Sequence, residues 1–217
     1  MVPPRPARTP SGLRLGVALA ADPRAVPAGR AEEAAAAAMP PRRRREFLAG
    51  RLAARRALRA AGLECGEIPR AGRLPRFPPG RAASIAHSAG VAVAVARVPG
   101  PDLPLGCDLE LRPLPASAAR LVLREDEAAL LRAARPGAAP WSVTALFSAK
   151  EAAWKALHTG PRALPDGALR SLRDLRARPD GAALRIEVRG DGARAVRVAV
   201  APLGVGVFST VLGWAER

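Results

Sequence analysis

Apolar positions recur along the chain with two different periods, and each period predicts one type of element. In residues 42–61 the apolar side chains share one helical face and arginines at spacings of four share another, which predicts an amphipathic helix ending at Gly62. An alanine-rich stretch at 31–38, stopped by prolines, predicts a shorter helix. Short apolar or alternating runs predict strands at 15–20, 82–85, 90–95 and 105–111.

A similar pattern follows a proline-marked linker at 112–115. The spacing of apolar positions predicts two helices, at 116–134 and 143–158. Alternation predicts three further strands, at 183–188, 193–200 and 205–212. Each half therefore reads as helix followed by a meander of three strands. This predicts an α+β fold of two similar subdomains, each a small antiparallel sheet packed with helices.

The domain division follows from the same pattern. We predict a disordered, proline-rich start at 1–11, an N-terminal subdomain at 12–112 and a C-terminal subdomain at 113–217. Each subdomain is long enough to enclose its own core. Ligand sites form preferentially between domains, so we expect the active site in the cleft between the two halves.

Composition adds a strong charge asymmetry. The chain carries 35 basic and 19 acidic residues, a formal net charge of +16, which favours acidic or polyanionic partners. Alanine, arginine, glycine and proline dominate, so a rare residue type is more informative than a common one. Lysine occurs only at Lys150 and Lys155, although arginine is used at every other basic position. Cys65 and Cys107 have neither metal-site nor disulfide spacing, which favours a reducing, cytoplasmic setting.

No segment reads as a membrane anchor. The longest uncharged stretch, 198–215, is interrupted by Pro202 and several glycines and partly alternates like a strand. The apolar run at 15–20 is shorter than the core of a signal peptide and is better interpreted as a strand. We therefore expect no stable membrane association.

Two carboxylates in the predicted strand 105–111 are the first candidate chemistry. Asp108 and Glu110 are two positions apart, so in a strand they point to the same face. Mg²⁺ is usually held by one or two carboxylates together with phosphate oxygens of the substrate. The pair is also compatible with a solvated strand end before a proline turn.

Glu151 and Lys155 form the second candidate. They are four positions apart in the predicted helix 143–158 and therefore share one face. An ordinary surface ion pair has the same spacing, but arginine would serve there equally well. Retention of lysine, a compact charge with three rotatable donors, favours a site that needs those properties.

A third candidate is a basic set suited to phosphate. His87 lies where a predicted strand gives way to a turn with Ser88 and Gly90, and such a turn can offer backbone N–H groups to a phosphate. Residues 42–45, together with Arg51 and Arg55, can bind phosphate in bidentate fashion. An arginine-rich helix is also compatible with a simple solvated face.

Together these segments resemble the 4′-phosphopantetheinyl transferases. The resemblance is carried by Gly106-Cys-Asp-Leu-Glu110 and Phe147-Ser-Ala-Lys-Glu-Ala-Ala-Trp-Lys155, in the order expected for the family. Three earlier segments add to it: Arg45 to Arg55, Arg73 to Gly80, and Ser84-Ile-Ala-His-Ser88. The chain is most similar to the large monomeric type that activates peptide and siderophore synthetases, in particular the enterobactin-synthetase type.

The resemblance implies a pseudo-dimer of two α+β halves with coenzyme A in the cleft and Mg²⁺ on its pyrophosphate. It implies transfer of the phosphopantetheine arm to a serine of an apo carrier protein of the acyl, peptidyl or aryl kind, by a monomeric cytoplasmic enzyme of secondary metabolism. No nucleic acid is implied as a partner.

The resemblance also assigns roles to residues. Asp108, Glu110 and Glu151 correspond to the metal ligands, and Glu151 also to the group that accepts the proton of the carrier serine. Lys155 corresponds to the residue that stabilises charge on the pyrophosphate. The residues that correspond to contacts of the nucleotide phosphates are Arg43, Arg51, Arg73 and His87.

Two other classes of protein remain as alternatives. The net charge and clustered arginines are typical of a nucleic-acid-binding protein, although few aromatic residues are present for stacking. A Mg²⁺-dependent nuclease also uses carboxylates and a lysine. Such sites usually place the acid and the lysine two apart in a strand, whereas Lys155 lies one helical turn beyond Glu151.

Overall fold

The structure is a computed structural model that describes residues 12–72, 74–98, 103–133, 140–159, 162–165 and 167–216. Two sequence predictions lie outside the described residues: the proline-rich start at 1–11, and Arg73 as a phosphate contact. Among the helices of the described ranges, none combines the length and apolar character needed to cross a bilayer.

The first half contains a strand, two helices and then four strands. The order is β1 (Arg14–Leu19), α1 (Arg30–Ala37), α2 (Pro41–Ala60), β2 (Arg70–Ala71), β3 (Leu74–Pro75), β4 (Ala83–Ser88) and β5 (Val91–Ala96). Pro41 takes the first helical position of α2, where its missing N–H leaves no bond unmade. The small apolar side chains of α2, such as Ala53 and Ala57, are fully buried against the sheet.

The second half begins with a strand and ends with a run of four. The order is β6 (Cys107–Glu110), a 3₁₀ turn (Ala116–Ala118), α3 (Ala119–Val122), a 3₁₀ helix (Glu125–Leu131), α4 (Val143–Leu157), a 3₁₀ turn (Leu172–Asp174), β7 (Leu175–Asp180), β8 (Ala183–Val188), β9 (Asp191–Leu203) and β10 (Gly206–Trp214). Ser142 caps α4, because its hydroxyl accepts the N–H of Ala145.

In the described residues, the strands pair antiparallel in three sheets: a three-stranded sheet in the order β1-β5-β4, a five-stranded sheet in the order β6-β10-β9-β8-β7, and the small hairpin β2-β3. Helix α2 covers the first sheet and α4 covers the second. The prediction of an α+β fold built on antiparallel sheets is confirmed.

The two halves repeat one arrangement. Each begins with a strand whose neighbour is the last strand of its own half, β5 beside β1 and β10 beside β6. In each, a glycine lets that first strand contact the helix backbone: a Cβ on Gly16 would overlap the carbonyl oxygen of Ala53 in α2, and a Cβ on Gly106 would overlap that of Ala152 in α4. Each half therefore contains a close contact between its first strand segment and its helix.

This repeat corrects one sequence prediction. Residues 105–111 were expected as the third strand of the first half, but β6 pairs with β10 and opens the five-stranded sheet of the second half. The third strand of the first sheet is β1. The repeating unit is therefore strand, helix, strands, in which the first strand pairs with the last one of the same half.

The predicted helix at 116–134 is also wrong in the described part of that range. Leu123 and Arg124 adopt extended backbone angles and separate α3 from the 3₁₀ helix that follows. The cause is tertiary, because Glu127 turns inward to a fully buried ion pair with Lys150, 2.8 Å between Oε1 and Nζ. Arg189 donates to the same carboxylate at 2.7 Å.

A third apolar cluster joins the halves. Val93 and Val95 of β5 pack with Leu105, Cys107 and Leu109 of the β6 segment, all nearly inaccessible to solvent. The two sheets therefore meet along β4, β5 and β6. An open cleft remains beside this junction, between α2 and α4.

Candidate active site

A cavity of about 320 Å³ lies between the two halves, at the lower end of the range for small-molecule sites. Its walls come from α2 and β4 of the first half and from α4 of the second. The lining residues are Arg43, Glu46, Phe47, Gly50, Arg51, Leu74, Pro75, Ala83, Ser84, Ile85, His87, Leu105, Trp154, Lys155, His158 and Thr159. A mixed apolar and cationic lining suits an anionic ligand that also carries a flat or aliphatic part.

Lys155 reaches from α4 to the acidic strand β6. Its Nζ donates to Asp108 Oδ1 at 2.7 Å and to the carbonyl oxygen of Cys107 at 3.0 Å. Burial alone would lower the pKa of Lys155, but the charge of Asp108 outweighs it and holds the pKa above the ordinary value. Lys155 is therefore a fixed cation at the end of the cavity.

The three predicted carboxylates lie around this cation. Burial, and then the nearby charge of Asp108, raise the pKa of Glu110. Burial also raises the pKa of Glu151; Lys155 opposes this shift and Asp108 adds to it. Asp108 is in direct contact with Lys155, whereas Asp108, Glu110 and Glu151 are not among the residues that line the cavity itself.

The three carboxylates supply the oxygen ligands that a divalent cation prefers, although they are not arranged around a common centre. In the part of the chain that the structure describes, no group of three or more His, Cys, Asp or Glu side chains is already arranged to hold a metal ion. Asp108 Oδ2, however, is buried and finds no hydrogen-bond partner among the described residues. A dication would satisfy that oxygen and relieve the repulsion at Glu110 and Glu151, so the residues fit Mg²⁺.

A basic pair forms the opposite wall. Arg43 Nη1 lies 2.6 Å from His87 Nε2, and because arginine can only donate, this ring nitrogen is the acceptor. Burial in the cleft, together with the charge of Arg43, lowers the pKa of His87. His87 lines the cavity from the end of β4, which continues to Ser88 and so extends past the predicted strand end at Ile85.

Arg51 is the most deeply buried cation of this wall. Its Nε donates to the carbonyl oxygen of Ile68 at 2.8 Å, and its guanidinium lies 4.5 Å from the centre of the Phe47 ring. Burial lowers its pKa to about 10, which still leaves it charged at neutral pH. Arg55, also considered for phosphate, instead pairs with the buried Glu32 at 2.8 Å.

Some cavity residues were not predicted. Glu46 pairs with Arg42 at 3.1 Å and with Arg43 at 3.6 Å. Burial opposes its ionisation, but the hydrogen bond from Arg42 and the charges of Arg42 and Arg43 hold the pKa of Glu46 below its usual value. The spacing of Glu46 from Arg42 and Arg43 along the helix was the feature of the sequence that could have indicated these ion pairs. Trp154 and His158 stack at 4.8 Å on the α4 wall, and helical spacing from Lys155 alone does not reveal them.

In this fold two similar halves enclose a cavity with a partly cationic lining. Family comparison makes this specific: a model of the 4′-phosphopantetheinyl transferase N-terminal domain matches residues 31–97, and one of the 4′-phosphopantetheinyl transferase superfamily matches residues 104–198. Together they span most of the chain, which belongs to this superfamily and is a 4′-phosphopantetheinyl transferase. Enzymes of the family use coenzyme A and act on carrier proteins. No curated protein sequence matches the chain.

Proposed function

We propose that the chain transfers the 4′-phosphopantetheine arm of coenzyme A to a serine of an apo carrier protein in a Mg²⁺-dependent reaction. The observation that supports this most is the contact of Lys155 with Asp108, 2.7 Å long, at the end of a cavity whose other wall carries Arg43, Arg51 and His87. Phosphoryl transfer needs positioning and charge neutralisation rather than a covalent enzyme nucleophile.

Each residue has a role in this scheme. Asp108, Glu110 and Glu151 would hold Mg²⁺, which supplies charge neutralisation on the pyrophosphate. Arg43, Arg51 and His87 bind the nucleotide phosphates. By resemblance to the family, we assign Arg73 to the same phosphates.

The reaction breaks the phosphoanhydride bond of coenzyme A and forms a phosphodiester with the carrier serine. Glu151 accepts the proton of the carrier serine hydroxyl, directly or through a water molecule, while the serine oxygen bonds to the phosphorus of the pantetheine phosphate. The bond from that phosphorus to the bridging oxygen breaks and releases adenosine 3′,5′-bisphosphate. Lys155 donates a hydrogen bond to the oxygen that gains charge.

The setting is part of the same proposal. We propose a cytoplasmic monomer, because both cysteines are free thiols and one chain supplies both walls of the cleft. The net charge of +16 favours acidic carriers and raises their association rate. By similarity to the enterobactin-synthetase type, we propose peptide, siderophore or polyketide synthesis as the pathway class.

Intact-mass measurement tests the function. Purified protein with coenzyme A and Mg²⁺ should add about 340 Da to an apo carrier, the mass of one phosphopantetheine arm transferred by metal-assisted displacement. A panel of acyl, peptidyl and aryl carriers identifies the preferred class. The same protein incubated with DNA tests the nuclease alternative.

Three variants test the site. Asp108→Ala, Glu151→Ala and Lys155→Ala should each reduce the transfer rate about 100-fold or more, because each removes charge stabilisation at the reacting diphosphate. Glu64→Ala is the matched control, since that carboxylate is 76% exposed and pairs only with an exposed arginine. Full activity in all three site variants would overturn the assignment, and salt-sensitive DNA binding unaffected by Asp108→Ala would favour a nucleic-acid-binding protein.

A further inference from the structure

Two sheet edges face each other at the junction of the halves. Within the described residues, β4 is an edge strand of the three-stranded sheet and β6 is an edge strand of the five-stranded sheet, and the two share no backbone ladder. Side chains join them instead. Ser84 Oγ accepts the N–H of Cys107 at 3.0 Å, and Ser88 Oγ accepts the N–H of Leu111 at 3.1 Å.

The two hydrogen bonds define a single register between β4 and β6. Each serine is 23 positions from its partner, so β4 and β6 run side by side in the same direction. Ser84 and Ser88 are four positions apart on one face of β4, and their partners are four apart on β6. The serine hydroxyls thus replace the carbonyl acceptors that a neighbouring strand would offer, and they hold β6 at both of its ends.

The segment between these two bonds carries the acidic pair. Asp108 and Glu110 lie between Cys107 and Leu111, and Ser88 Oγ is also 3.5 Å from Glu110 Oε2. At the other end, the carbonyl oxygen of Cys107 accepts from Lys155. The peptide units that flank the carboxylates are therefore fixed from both halves of the molecule.

We propose that Ser84 and Ser88 are positioning residues that set where β6 presents Asp108 and Glu110 in the cleft. Neither serine touches the reacting atoms in this scheme. Without these acceptors the amides of Cys107 and Leu111, on the edge of β6 away from β10, would bond to water, and that edge would be held less firmly against the first half. The inference rests on the proposed function only for what the two carboxylates bind.

Amide hydrogen exchange tests the two bonds directly. In Ser84→Ala the Cys107 amide should exchange about tenfold faster, and in Ser88→Ala the Leu111 amide should do so, because each loses its acceptor. Ser209→Ala is the matched control. Ser209 lies opposite Asp108 on β10 and is fully buried, and its hydroxyl has no hydrogen-bond partner among the described residues.

Metal affinity tests the consequence. With coenzyme A bound, Mn²⁺ affinity measured by calorimetry should fall about tenfold in the Ser84→Ala and Ser88→Ala variants, as it does when groups that orient metal ligands are removed. The Mg²⁺ concentration for half-maximal transfer should rise in step, while the KM for coenzyme A stays within about twofold. Ser88→Thr, which keeps the hydroxyl, should restore both values.

The outcomes separate two failures. Unchanged amide exchange and unchanged Mn²⁺ affinity in both alanine variants would overturn the positioning role, even if the wild type is a fully active transferase. Absence of transfer by the wild type would overturn the proposed function, whereas the amide exchange of Cys107 and Leu111 still decides whether the serines hold the strand. An equal loss of metal affinity in Ser209→Ala would also contradict the inference.

Discussion

Lys150 and Lys155 lie five positions apart on α4 and have opposite environments. Lys150 is fully buried, where its Nζ is bound by Glu127 and by the carbonyl oxygens of Val122 and Leu175. Burial lowers the pKa of Lys150, and the hydrogen bond that it donates to Glu127 opposes that shift. Lys150 therefore stabilises the packing of α4 on its sheet, and of the two lysines it is Lys155 that faces the cleft. The rarity of lysine thus marks one structural and one candidate catalytic position.

His87 gives a pH-dependent prediction at the same scale. Burial and Arg43 lower its pKa below the ordinary 6.5. Well above pH 6.5, His87 is neutral in both the folded and the unfolded chain. As the pH falls below 6.5, the unfolded chain binds a proton at His87 before the folded chain does, so the free energy of unfolding decreases. The groups facing the ring are Arg43 and Glu46 from α2 and Lys155 from α4.

Urea unfolding at pH 7.0 and 5.5 measures this effect. The free energy of unfolding of the wild type should fall more between the two values than that of His87→Gln, which has no group to titrate there. The imidazole stays partly open to solvent, so the difference should be small. An NMR titration of His87 with a midpoint above 6.5 would contradict the prediction.

At the scale of elements, the close contact between the β6 segment and α4 makes the site possible. A Cβ on Gly106 would overlap the carbonyl oxygen of Ala152 and lie 3.0 Å from the Ala156 Cβ. Neither neighbour is a flexible side-chain end. The short separation is what lets Lys155 reach the carbonyl oxygen of Cys107.

Gly106→Ala should therefore be destabilising by about 1–3 kcal/mol and should also reduce transfer, because strand and helix must separate. Gly192→Ala is the matched control, since a Cβ at Gly192 would meet nothing within 4 Å. Urea midpoints of the two variants and the wild type, with their transfer rates, measure both effects. A stable and active Gly106→Ala variant would show that this contact is not needed.

Local pattern predicted the elements that bury one regular face. Helices α2 and α4 agree with their predicted ranges to within one residue at each end, because alanine and leucine mark the buried side at helical spacing. Strand β7 was missed because Pro179 reads as a breaker; in the described residues β7 is the edge of its sheet, where proline costs no ladder bond.

The site was predictable where sequence spacing fixes geometry. Asp108 with Glu110, and Glu151 with Lys155, follow from the periods of strand and helix. Ser84 and Ser88 were not predicted as partners of β6, because only the packing of two sheets brings β4 beside it. The break after α3 was missed for a similar reason, since a buried ion pair outweighs helix propensity there.

At the scale of the whole molecule, the repeat of the two halves extends to their charged side chains. Arg56 of α2 donates to the carbonyl oxygen of Val17, one residue after Gly16, as Lys155 of α4 donates to that of Cys107, one residue after Gly106. Arg56 pairs with Asp22 beyond its strand, whereas Lys155 pairs with Asp108 inside β6. Within the described residues, it is the second half whose acidic partner contacts a cation that lines the cavity, Lys155.

The arrangement of the sheets also predicts that the chain can be split into two pieces that assemble with each other. Every strand of the three-stranded sheet ends by Ala96 and every strand of the five-stranded sheet begins at or after Cys107, so no sheet needs the covalent link between Val98 and Leu103. Near this link, Arg97 donates to the carbonyl oxygen of Pro104 at 2.8 Å. Co-expressed pieces 1–98 and 103–217 should copurify and modify a carrier together, while a piece that purifies alone would contradict this. If two other proteins were fused to the two pieces, their association would bring the pieces together. Modification of a carrier would then report that association.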